Sequence, residues 1–135
     1  MAKIRAFCAL APAAPARQRL QQLVAAHAAA APAMRSTHRD DLHLTLQFLG
    51  ETTTEVVSAL ATALAGDQPL IRLLPQVATL ELAQMASFGF AHEEQVLWVG
   101  PEAGGAEWAA LLQAQERVLG IAGTFGFARE TRKFI

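Results

Sequence analysis

The chain has 135 residues, 53% apolar and 17% charged, which is enough for one domain with a real core. A net charge of −1 and an isoelectric point near 6.4 argue against a broadly basic nucleic-acid surface but leave room for a local phosphate site. The single cysteine, Cys8, excludes an internal disulfide and makes the cytoplasm the simplest compartment.

Ile4 to Leu10 reads as a first strand, ended by Pro12 and Pro15. Its apolar run is too short for a signal peptide's hydrophobic region. No stretch reaches the roughly 20 apolar residues of a membrane span, and the Ala-rich run from Leu23 to Met34 is broken by His27 and Pro32. On the strand, Arg5, Phe7 and Ala9 share one face, and Ile4, Ala6, Cys8 and Leu10 share the other. Pro15 to about His27 reads as a helix, with Leu20, Leu23, Val24 and His27 at helical spacing, Arg17, Gln18, Gln21 and Gln22 on the wet side, and His27 itself read as solvent-facing. A polar loop, Met34 to Asp41, leads to a second strand, Leu42 to Leu49, closed by Gly50. Thr53 or Thr54 caps a second helix running to Leu64, with Val56, Val57, Leu60 and Leu64 inward.

Gly66-Asp67-Gln68-Pro69 breaks the chain. Leu70 to Leu74 and Val77 to Leu82 read as two short strands or one bent strand, with Pro75 at an edge or bulge. Phe88 to Glu94 is a loop, and Gln95 to Val99 a strand. A third helix runs from Ala106 to about Leu119 and clusters Trp108, Leu111, Leu112, Gln115 and Leu119; Gly120, Gly123 and Gly126 then loosen the chain.

Asp41-Leu42-His43-Leu44-Thr45-Leu46-Gln47-Phe48-Leu49-Gly50 is the stretch that carries chemistry. Strand alternation puts His43, Thr45 and Gln47 on one face and Leu42, Leu44, Leu46 and Phe48 on the other. Histidine exchanges a proton near neutral pH, and a threonine hydroxyl binds a phosphoryl oxygen or a reacting hydroxyl. The pair is half of an acid–base phosphoester site, because no second His-x-Thr occurs in the chain.

The element order reads as a loose repeat: strand, helix and loop leading to the His43 strand, then the Val96 strand, helix and loop leading to the last residue. His43 stands 39 positions after Ile4, and the same offset from Val96 falls on Ile135. Two short units sharing a core fit an α+β architecture, a two-lobed pseudo-symmetric repeat of antiparallel sheets with helices outside and a central cleft. Residues 1–135 form one such domain.

Three segments in order, Ile4 to Leu10, Leu42 to Gly50 and Val96 to Gly100, make the chain resemble the two-histidine phosphoesterase superfamily. The branch it is most similar to is the bacterial 2′-5′ RNA ligase family, also described as RNA 2′,3′-cyclic phosphodiesterases. The resemblance implies a metal-independent, cofactor-free enzyme that opens 2′,3′-cyclic phosphate ends of RNA or nucleotides to 2′-phosphates, with 2′-5′ ligation as the reverse-type reaction. It makes His43 and Thr45 catalytic. It also implies a second histidine and threonine after a segment like Arg132-Lys133-Phe134, where this chain ends at Ile135. The expectation is therefore a C-terminally incomplete member, impaired as it stands.

Arg5, Phe7 and Arg132 are the candidate substrate contacts. Phe7 fits base stacking and core packing equally well; Arg5, Arg129, Arg132 and Lys133 fit phosphate contact or a solvated surface. His38 fits the substrate mouth or an ordinary loop. A metal set of His38, Asp40, Asp41 and His43 matches no common ligand spacing, so no metal is expected. Trp98 and Trp108 are read as packing the second lobe, and Cys8 as a strand residue rather than a nucleophile. Expected partners are RNA or nucleotide ends and no membrane, with the protein a monomer. The alternative function is a phosphate- or nucleotide-binding module of the same fold without turnover.

Overall fold

The computed structural model describes residues 2–30, 41–82, 84–88, 96–101 and 104–129. In chain order these form β1 (Lys3–Leu10), α1 (Ala14–Ala30), β2 (Leu44–Thr53), α2 (Thr54–Ala65), α3 (Gln68–Val77), β3 (Gln84–Phe88), β4 (Val96–Gly100) and α4 (Gly105–Thr124). Helices and antiparallel strands are thus mixed along the chain, as expected for α+β. β1 pairs antiparallel with β2, and β3 pairs antiparallel with β4, as separate two-stranded sheets.

β1 and β2 do not pair evenly. Cys8 lies opposite Gln47 and Ala9 opposite Thr45, so Leu46 is an extra residue; Ala6 lies opposite Gly50 and Phe7 opposite Phe48, so Leu49 is another. Each extra residue is a bulge that disturbs the alternation of side chains. Gly50, at φ +73°, adopts at the second bulge a conformation that side-chain-bearing residues rarely take.

The first bulge corrects the sequence expectation. Leu46 and Gln47 are consecutive, yet both are buried, and Phe48 is turned outward at 49% exposure. Gln47 therefore sits on the core side, away from the His43 face, and Phe48 leaves the leucine row. Two hydrogen bonds hold this arrangement. Gln115 of α4 donates its side-chain amide to the Leu46 carbonyl at 3.0 Å. Gln47 donates its own to the Ala128 carbonyl at 2.8 Å, tying the segment after α4 to β2. The Gln47 Oε1 is buried without a partner among the described residues.

Thr53 caps α2 by accepting from the Val56 amide at 3.3 Å, and Leu60 is its buried residue. The strand expected over Leu70 to Leu74 is instead α3. Asp67 is its N-cap, accepting from the Leu70 amide at 3.0 Å, and Pro69 sits in the first turn, where no amide hydrogen is needed. Leu70, Leu73 and Val77 then meet the core at helical spacing. Pro75 removes one intrahelical donor near the end, and the helix stops at Val77. The second expected strand, Val77 to Leu82, is displaced to β3.

The core is Leu46, Leu70, Leu111, Ala114 and Val118, with Cys8, Leu10, Leu44, Leu64, Leu73, Val77, Leu80 and Trp108 packed around it. The inner face of the β1–β2 sheet thus rests on α4 and α3. Small residues let α4 approach closely: Ala110, Ala114 and Ala122 are buried along with Leu111, Val118 and Leu119. Gly120 and Gly123 lie within this helix rather than loosening the chain after it, and Leu112 faces outward at 40% exposure. α1 runs three residues beyond His27, with Leu23 at its surface.

Candidate active site

β1 carries no extra residue, so its alternation holds along its whole length: Lys3, Arg5, Phe7 and Ala9 share the face turned away from the core. Across the ladder that face continues with Thr45 opposite Ala9, Phe48 opposite Phe7, Glu51 opposite Arg5 and Thr53 opposite Lys3. His43 stands one residue before β2 and joins the same face. Its ring stacks on Phe7, with centroids 4.8 Å apart and planes 29° from parallel. Phe7 in turn meets Phe48 at 6.0 Å. The result is a row of rings, His43–Phe7–Phe48, beside the Thr45 hydroxyl. His43 is exposed and Thr45 half-buried.

The His43 Nδ1 lies 2.6 Å from the Asp41 carbonyl oxygen. A carbonyl only accepts, so Nδ1 carries the hydrogen, and in the neutral ring Nε2 is the basic nitrogen. Stacking on Phe7 fixes the ring plane, and the Asp41 contact fixes its tautomer. Together they present one nitrogen for proton transfer.

The sequence-predicted residues separate clearly. The fold brings His43, Thr45, Phe7 and Arg5 onto one open face. It sends Gln47 to the other side. Arg129, read as part of a basic tail, is ion-paired with Glu116 on the surface. Cys8 is half-buried on the core face, and burial pushes its thiol above the usual range, which suits a packing residue. Trp108 packs against the core. Arg132, Lys133, His38, Asp40, His92 and the polar loop before Asp41 lie outside the described residues. Among the described residues no three His, Cys, Asp or Glu side chains stand close enough to hold a metal ion, and no helix is long and apolar enough to cross a membrane.

Sequence reasoning missed Phe48, because strict alternation assigned it to the core. The signal was faint: Gly50 is where a bulged strand accepts a left-handed residue. A shallow groove of about 510 Å³ between α3 and α4, lined by Pro69, Arg72, Leu73 and Leu112 among others, takes no residue from β1 or β2.

Residues 10–74 match the family model described as LigT like Phosphoesterase. The matched segment contains His43, Thr45, Phe48 and the β2 strand, and it supports a place in the two-histidine phosphoesterase superfamily and a phosphoesterase-type enzyme. No curated protein and no solved structure matches the chain.

Proposed function

We propose that this protein is an RNA 2′,3′-cyclic phosphodiesterase that opens cyclic phosphate ends to 2′-phosphates, with 2′-5′ RNA ligation as the reverse-type reaction. It works without metal or cofactor, as a monomer in the cytoplasm. The observation that carries this reading is His43: exposed, stacked on Phe7 and held by Asp41 so that Nε2 is the proton-transfer atom. The reaction needs one group to activate water and another to protonate the departing ribose oxygen on the far side of phosphorus. His43 is one of the two. Thr45 holds a non-bridging oxygen as charge develops on it, and Arg5, Phe7 and Arg132 hold the rest of the substrate. In this reading β1–β2 and β3–β4, with their helices, are the two lobes of a pseudo-symmetric repeat around a central cleft. The chain then forms one domain that supplies a single His-x-Thr acid–base group, since none of His27, His38 and His92 is followed two residues on by threonine.

That same sequence fact favours a second reading, a module that grips a phosphate or nucleotide without turnover. The test is hydrolysis of 2′,3′-cyclic AMP in the presence of a chelator, followed by phosphorus NMR, for the wild type and His43→Ala. The proposal expects only the 2′-phosphate product, formed slowly by this chain with its single His-x-Thr and more slowly still by His43→Ala. Equal rates in the two proteins contradict it, and loss of activity on adding chelator returns the metal reading. Saturable binding without any turnover establishes the module.

A further inference from the structure

The His43 face does not end at the rings. Beyond Phe7 and Phe48 it continues along β1 to Arg5 and Lys3, both exposed. From Ala9 beside Thr45 to Lys3 is six residue steps of unbroken strand, or about 20 Å of extended chain, longer than one nucleotide. The order along this strip is proton-transfer group, aromatic rings, then cations. On a protein of net charge −1 two cations on one strand face are a local feature, and the ladder sets the acidic Glu51 opposite Arg5.

We propose that the outer face of the β1–β2 sheet is a directional track for a single-stranded RNA 3′ end. The cyclic phosphate sits at His43 and Thr45, the terminal base lies on Phe7 and Phe48, and the upstream phosphates run toward Arg5 and Lys3. This rests on the phosphodiesterase reading of His43 and adds length dependence and polarity to it. Aromatic rings bind bases of any identity by stacking, and cations bind the backbone in a salt-dependent way, so the track reads length and polarity rather than sequence. Glu51 weakens the hold on the upstream phosphate and keeps release possible.

The experiment measures affinity for 2′,3′-cyclic phosphate-ended oligonucleotides of one, two and three nucleotides, over a range of salt concentrations. The proteins are wild type, Lys3→Gln, Glu51→Gln and His43→Ala. All three positions are exposed, so the variants are expected to fold. The track predicts at least about a fivefold gain from one nucleotide to three. Lys3→Gln shrinks that gain and flattens the salt dependence by somewhat under one unit of log–log slope, and Glu51→Gln enlarges the gain. A trinucleotide spin-labelled at its 5′ end broadens the Lys3 and Thr53 amide signals more than that of Ala9. Affinity independent of length, a length gain indifferent to Lys3 and Glu51, or broadening strongest at Ala9 overturns the track. If the mononucleotide still binds in a His43-dependent way, the phosphodiesterase reading survives that failure. If His43→Ala leaves mononucleotide binding unchanged, the underlying reading has failed as well.

Discussion

At the residue scale the site depends on which way each side chain of β2 points. His43, Thr45 and Leu46 follow simple alternation, so the placement of His43 and Thr45 on one face is legible in the sequence. Gln47 and Phe48 do not, because Leu46 is an extra residue in the ladder and its carbonyl is taken by Gln115 from a helix 69 positions away. No local pattern announces such a partner. Replacing Gln115 by Leu should leave the Leu46 carbonyl unsatisfied and cost about 1–3 kcal/mol in chemical unfolding. It should also disturb the Phe7–Phe48 contact, visible as altered aromatic NMR shifts. His43→Ala should lower turnover by about 10²–10⁴-fold, the ordinary loss of an acid–base group.

At the element scale, helices with a hydroxyl or carboxylate cap were the most legible. Of the two threonines that can cap α2, Thr53 makes the cap bond and Thr54 begins the helix; Thr53→Ala should cost about 1 kcal/mol in thermal or denaturant unfolding. α3 was misread as a strand, because a run of leucine and isoleucine ending in Pro75 carries strand-like composition. The information was present in Asp67 and Pro69, a cap followed by a first-turn proline. Asp67 does more than cap. Arg117 of α4 donates to it from Nε at 3.0 Å and also from Nη2. This bond, with help from the Leu70 amide, holds its carboxyl below the usual carboxylate range. A carboxylate depressed in the folded state stabilises above its unfolded pKa of about 3.9 and loses that contribution as pH falls through the lower folded value. Acid unfolding curves of wild type and Asp67→Asn should therefore differ most near neutrality and converge below about pH 4. A constant difference across that range would show that the Arg117 pair does not link α3 to α4 energetically.

At the scale of the whole molecule, two faces of one small sheet do opposite jobs. The inner face is sealed by α4, whose Leu111 is fully buried; Leu111→Ala should cost about 2–5 kcal/mol, read from the denaturation midpoint. The outer face is left with rings, a hydroxyl and cations. The α3–α4 groove holds no proton-transfer residue of the His43 face. The most direct measurement of the central claim is an NMR titration of the protein with 2′-AMP, the product end of the proposed reaction. Saturable shifts of the His43, Thr45 and Phe7 resonances are expected, with Arg72 and Leu112 of the groove unmoved. Shifts confined to the groove, or none at His43 at saturating nucleotide, would contradict it.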